Sequence, residues 1–112
     1  IMHEVSAAPL WDKKDAPIMP EWVVGMPPLL IAELWTFYDV ADVLETWSFD
    51  AGHGGDCAPP GDDVVEAVDR RGRAAALSLL RWRPDLRITF IAPVSDRIWR
   101  LRRNGTFVGG EV

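Results

Sequence analysis

The twenty-two residues "PPLLIAELWTFYDVADVLETWS", 27 to 48, restrict the fold more than any other part of this chain. Pro27 and Pro28 suit the opening turn of a helix, where a missing amide leaves no hydrogen bond unmade. Leu30, Leu34, Phe37, Ala41 and Leu44 then recur at steps of three and four, with Ile31, Trp35, Tyr38 and Trp47 widening the apolar face. Glu33, Thr36, Asp39, Asp42 and Glu45 follow at steps of three on the opposite side. The spacing predicts an amphipathic helix with an acidic stripe, which needs a second apolar layer to cover it.

Gly52, Gly54, Gly55, Pro59, Pro60 and Gly61 stop this helix from continuing. A second helix is expected to start with Asp63 as its N-cap and Glu66 three residues on, the pattern of a capping box. Val64, Val68, Ala75 and Leu79 carry its apolar stripe to Trp82, and Pro84 ends it. Gly72 is a weak point that could divide it, since an interior glycine costs about 1 kcal/mol against alanine.

Downstream the period changes from helical to alternating. In "LRITFIA" (86–92), Leu86, Ile88 and Phe90 alternate with Arg87 and Thr89, as in a half-buried strand. "RIWRLRR" (97–103), Asn104-Gly105 and "TFVGGEV" read as a hairpin on a two-residue turn, which would pair Leu101 with Val108 and Arg102 with Phe107. Trp99, Leu101 and Val108 would then share one face, and Ile98, Arg100 and Arg102 the other. Upstream, prolines break residues 1–20 into an irregular arm with one turn of helix around Trp11, and "EWVVGM" (21–26) is a short strand candidate. The order predicts a single α+β domain over residues 1–112: two main helices packed on a small antiparallel sheet that ends in a C-terminal β-hairpin.

Charge is divided along the chain. Residues 1–61 hold two lysines against ten acids, whereas residues 62–112 hold ten arginines against seven acids, for an overall net charge of −5. Such a chain can pair with itself, pair with a second copy as a homodimer, or show a basic face to nucleic acid. The arginines of the second half are expected chiefly to meet the acidic first helix or a neighbouring chain. Arginine used in place of lysine there, with abundant Ala, Gly, Pro and Asp, points to a GC-rich bacterial source. The single cysteine excludes an internal disulfide and fits the cytoplasm. No apolar run nears the roughly 20 residues needed to span a bilayer, so no membrane role is expected, and residues 1–14 do not read as a signal peptide.

"FDAGHGGDCAPPGDD" (49–63) gathers His53, Cys57 and several acids. A metal centre needs three or four ligands at defined spacing, and no CxxC, HxxxH or second cysteine supports one, so neither metal nor cofactor is expected. A Cys–His nucleophile pair would need rigid alignment that the intervening glycines do not provide. "GHGGD" (52–56) is similar to the oxyanion loop of α/β-hydrolase esterases, but the chain has no GxSxG elbow and is too short for that fold. Acids also make the segment a poor phosphate cradle. A plain connecting loop is the expected outcome.

Two features carry the functional expectations. Six tryptophans, at 11, 22, 35, 47, 82 and 99, could simply fill the core, or could line a pocket or interface. With nearby carboxylates, an aromatic cavity would suit a cationic small molecule, and Trp35, Tyr38 and Glu45 are the candidate ligand-binding residues. The second feature is the arginine set Arg97, Arg100, Arg102 and Arg103, with Arg70, Arg71, Arg73, Arg81 and Arg83, which could hold phosphates. "RIWRLR" (97–102) resembles the strand of RelE/ParE-type ribosome- or gyrase-directed toxins, small α+β proteins with a helical hairpin before an antiparallel sheet. The resemblance implies a nucleic-acid- or ribosome-directed factor; such toxins are usually basic, unlike this chain, and no catalytic residue is carried over from them. The leading expectation is therefore a non-enzymatic small-molecule- or protein-binding module, with the arginine face as the alternative. A small acid–base hydrolase or isomerase using Asp39 with Asp42, or Asp12 with Asp15, is the third reading.

Overall fold

Pro27 and Pro28 do open a helix. The computed structural model describes residues 9–12, 14 and 16–111 and runs β1 (Leu10–Trp11), β2 (Pro17–Ile18), a 3₁₀ turn (Pro20–Trp22), α1 (Pro28–Gly52), α2 (Asp62–Trp82), β3 (Ile88–Ile91), β4 (Ile98–Leu101) and β5 (Phe107–Glu111). The α+β class and the three-stranded C-terminal sheet follow the sequence expectation.

α1 buries Leu30, Leu34, Ala41 and Leu44, the residues that its period selects. Leu30 and Leu34 pack with Met26 against Ala75 and Leu79 of α2. Full burial of one such leucine is worth about 1.5–3 kcal/mol. The next face of α2, Ala76 and Leu80, packs on Phe90, Ala92 and Leu101 of the sheet. Phe37 reaches both clusters and meets Phe90 edge-on, with centroids 5.6 Å apart.

α2 is continuous through Gly72, which the sequence marked as a break. A Cβ at this position would lie 2.2 Å from Phe90 Cζ and 2.8 Å from Phe37 Cε1. The glycine is a seat for two rings, and their packing outweighs its poor helix propensity. Asp63 is not the N-cap: Gly61 takes that place, no side chain caps the end, and Asp62 and Asp63 lie in the first turn, where acids suit the helix dipole. Glu66 turns instead to Arg73, 3.0 Å away, and Arg70, 3.9 Å away.

Two upstream expectations need correction. Residues 21–26 are no strand: Glu21 and Trp22 belong to the 3₁₀ turn, Val24 is 93% exposed, Met26 is buried in the core and Val23 packs against it. Around Trp11 the chain forms no helical turn but a two-residue ladder, Leu10 with Ile18 and Trp11 with Pro17. The Asp12 carboxylate accepts the amides of Lys14 and Ala16 and bends the chain between these strands. Residues 1–8 lie outside the described residues.

In the sheet, Ile88 and Phe90 face inward as their alternation predicts. The hairpin, however, is shifted by one residue: Leu101 pairs with Phe107 and Arg100 with Val108. Arg102 N–H donates to Thr106 O at 2.8 Å, and Arg102 O accepts Gly105 N–H at 2.9 Å, which closes the turn. The loop is thus Arg103-Asn104-Gly105, with Gly105 at φ +88°, and Asn104 uses its side chain to hold Thr106. Because side chains alternate faces, this shift sends Val108 outward beside Arg100 and brings Phe107 in beside Leu101. Gly109 and Gly110, both at positive φ, make a bulge opposite Ile98 and Trp99. Val94 (φ +67°) and Asp96 (φ +57°) shape the β3–β4 turn, an uncommon conformation for a β-branched residue.

Candidate functional site

Trp35, Tyr38 and Glu45 share one stripe of α1, so Glu45 stands at the aromatic edge of the apolar face and not on the side opposite to it. The Trp35 and Tyr38 rings meet edge-on at 5.4 Å and 81°, and both residues are half-buried, as is Glu45. The Trp35 indole N–H donates to the Glu21 carboxylate, tying α1 to the 3₁₀ turn, where Trp22 stands 70% exposed. Asp39 and Asp42 complete an acidic surround and are exposed. Neither of two surface clefts, one lined by Phe49 to Asp50 and His53 to Cys57, the other by Leu77, Leu80, Arg81, Pro84 and Arg103 to Gly105, includes any of the three candidates.

The Tyr38 phenol registers this surround. Burial, and then the charges of Asp42, Asp39 and Glu45, push its pKa above the ordinary value of 10.0. Because the folded state holds the proton more tightly than the unfolded chain, this group's contribution to stability is complete below pH 10 and is lost as pH rises through the folded value. Tyr38 is the only tyrosine, so ultraviolet titration of phenolate reads it directly. The expected midpoint lies above that of the urea-unfolded chain, and Asp42→Asn moves it down.

Arg97, Arg100, Arg102 and Arg103 are all exposed. Arg100 lies on the outer face of the sheet between Thr89 and Val108, next to the Ile91–Ile98 pair. Arg103 belongs to the hairpin turn and shares a cleft of ≈ 340 Å³ with Arg81 over Leu77 and Leu80. The four therefore do not converge on one point. Among the described residues the ion pairs of the second half are local: Arg70 and Arg73 meet Glu66, Arg73 meets Asp69, and Arg83 meets Asp85. None of these acids is on α1. Hydrogen bonding from Arg83 holds the Asp85 carboxyl below the usual carboxylate range.

One constellation escaped the sequence reading. Asp69, 1% exposed, is the buried acid of α2. Its Oδ1 accepts from Arg73 Nε at 2.6 Å and its Oδ2 from Trp99 Nε1 of β4 at 3.2 Å. Arg73 also donates to Glu66 at 3.0 Å, and its guanidinium lies 4.4 Å from the Trp99 ring centre. No buried side-chain polar atom lacks a partner among the described residues, and the cluster fastens the helix to the sheet. The only signal in the sequence was the i, i+4 spacing of Asp69 and Arg73, hidden in a run of surface-type charges.

The tryptophans contribute to the margin of the core: none of the six is fully buried, but Trp82 and Trp99 pack against its two clusters, and Trp47 donates its indole N–H to the Ala58 carbonyl at 2.7 Å, closing the loop between the helices. In that loop His53 stacks on Phe49 at 4.0 Å, and its Nδ1 lies 2.8 Å from the Phe49 carbonyl, to which it donates. Cys57 is exposed. Among the described residues no group of three or more His, Cys, Asp or Glu could hold a metal ion, and no helix is long and apolar enough to cross a membrane. Asp39 and Asp42 stand exposed on α1, Asp12 supports its own turn, and Asp15 lies outside the described residues. No protein-family model, curated protein sequence or solved structure matches this chain.

Proposed function

We propose that this is a non-enzymatic binding module whose α1 face takes a cationic segment of a protein partner. The observation that carries the reading is the edge-on Trp35–Tyr38 pair, half-exposed amid Glu21, Asp39, Asp42 and Glu45. Aromatic rings offer arginine and lysine side chains cation–π contact, and the carboxylates add charge attraction. Half-exposed rings that belong to neither cleft suit a chain segment better than a small molecule, which needs a concave site that covers most of its surface. The lone cysteine and the preference for arginine favour the cytoplasm of a GC-rich bacterium as the setting.

The test is a titration of ¹⁵N-labelled protein with an alternating Arg-Ala peptide and with its Glu-Ala counterpart. The reading expects saturable shifts of the Trp35 indole N–H and of the α1 backbone amides with the first peptide only, and binding read from those amides should weaken about tenfold or more in Trp35→Ala, as for an aromatic hot spot. Equal shifts with both peptides, or none, would reject it.

The alternative is a nucleic-acid- or ribosome-directed factor, favoured by Arg100 lying with Thr89 on the open outer face of the sheet. The order of a helical hairpin before an antiparallel sheet, common to RelE/ParE-type toxins, supports it as well. It stands second because the whole chain is acidic, which disfavours phosphate backbones. A single-stranded RNA used in the same titration would, on this reading, move Thr89 and Arg100 instead of Trp35.

A further inference from the structure

The outer edge of β3 is open, and its groups are set out for pairing. Ala92 N–H donates to Arg97 O at 2.9 Å, so residues 92 and 97 form a hydrogen-bonded pair. Antiparallel ladders alternate bonded and non-bonded pairs, which makes Phe90–Trp99 and Ile88–Leu101 the other bonded pairs. Thr89 and Ile91 therefore turn their N–H and C=O groups away from β4, and no described residue meets them. The short β1–β2 ladder is a separate sheet and does not extend this edge. Edges of this kind are usually blunted by a charge, a proline or a bulge within the strand. "ITFI" has none of these, and Ile91 is 62% exposed.

We propose that β3 pairs antiparallel with β3 of a second copy of this chain across a twofold axis at Thr89, joining two sheets into one. In this register Thr89 exchanges both main-chain bonds with the partner's Thr89, and Arg87 does so with the partner's Ile91. Ile88 faces the partner's Phe90 on the inner side. No two like charges oppose each other, and the aliphatic stem of Arg87 covers the partner's exposed Ile91. Sliding by two residues toward the turn would set Arg87 opposite the partner's Pro93, which has no N–H. Sliding the other way leaves Ile91 unpaired. The edge is therefore complementary to itself in one register, as a closed twofold contact requires. This contact is independent of the α1 face, and Trp35→Ala leaves it unchanged.

The deciding measurement is solution mass by light scattering from micromolar to millimolar protein, with amide hydrogen exchange on the same samples. The expected result is a mass rising toward twice the 12.5 kDa of one chain, while exchange at Thr89 and Ile91 slows in step. Ile91→Lys, which sets a lysine against the partner's Arg87 without touching the core, and Thr89→Pro, which removes an edge donor, should each weaken association at least tenfold. Circular dichroism checks that both variants remain folded, and Ile91→Lys alone decides if Thr89→Pro does not. A monomer at every concentration, or a dimer that Ile91→Lys leaves intact, overturns the proposal.

Discussion

Replacing Asp69 with alanine is expected to lower the unfolding free energy by about 3 kcal/mol, the low end of what breaking a buried ion pair costs. Removal of the carboxylate takes the partner from Arg73 Nε and from the Trp99 indole together. Arg73 is partly exposed, retains Glu66 and can turn to water, so the loss stays at that end of the range. Urea unfolding followed by tryptophan fluorescence measures it. Trp99→Phe, which removes one neutral donor to a charged acceptor, should cost about 1.5–3 kcal/mol. The double variant should lose less than the sum, because both substitutions remove the same bond. Full additivity would show that the indole and the carboxylate are not coupled.

Gly72→Ala is the second large effect, and its sign is contrary to helix propensity. Alanine in a helix interior gains about 1 kcal/mol over glycine. Here the added methyl would sit 2.2 and 2.4 Å from two carbons of the Phe90 ring. Rigid rings cannot yield as a flexible side chain can, and overpacking a core typically costs 1–3 kcal/mol. A net loss of about 2 kcal/mol is expected, which lowers Tm by on the order of 10 °C for a domain of this size. Gly52→Ala is the control: a Cβ there meets nothing within 4 Å, and Tm should hold or rise. Phe90→Leu in the Gly72→Ala background should recover part of the loss.

These two residues mark where sequence reasoning stopped. Leu30, Leu34, Ala41 and Leu44 could be read as buried because their period alone fixes the inner face of α1. Ile88 and Phe90 were legible through alternation in the same way. Gly72 looked like a break because propensity is local, whereas the rings that need its space come from α1 and β3. Asp69 looked like one more surface acid because its partner on β4 lies thirty residues away. The hairpin register was misjudged by one residue since Asn-Gly suits two turn lengths; the choice came from Gly105 and the Asn104–Thr106 bonds. For the candidate site, helical spacing correctly placed Trp35 beside Tyr38. The tie from the Trp35 indole to Glu21 was not legible, because it comes from the 3₁₀ turn in a segment that the sequence offers as a strand.

The bulge at Gly109 and Gly110 sets the limit of any assembly through the sheet. β5 is the other edge, and there the positive φ angles of both glycines interrupt a regular ladder, with the Gly110 backbone seated against the Trp99 ring. A sheet with two regular edges can add copies at either side without end, the geometry of a fibre. A sheet with one regular edge stops growing when that edge is filled. On the proposed β3 pairing, the two glycines leave β5 a poor template for further strands, and a pair rather than a filament is the expected assembly.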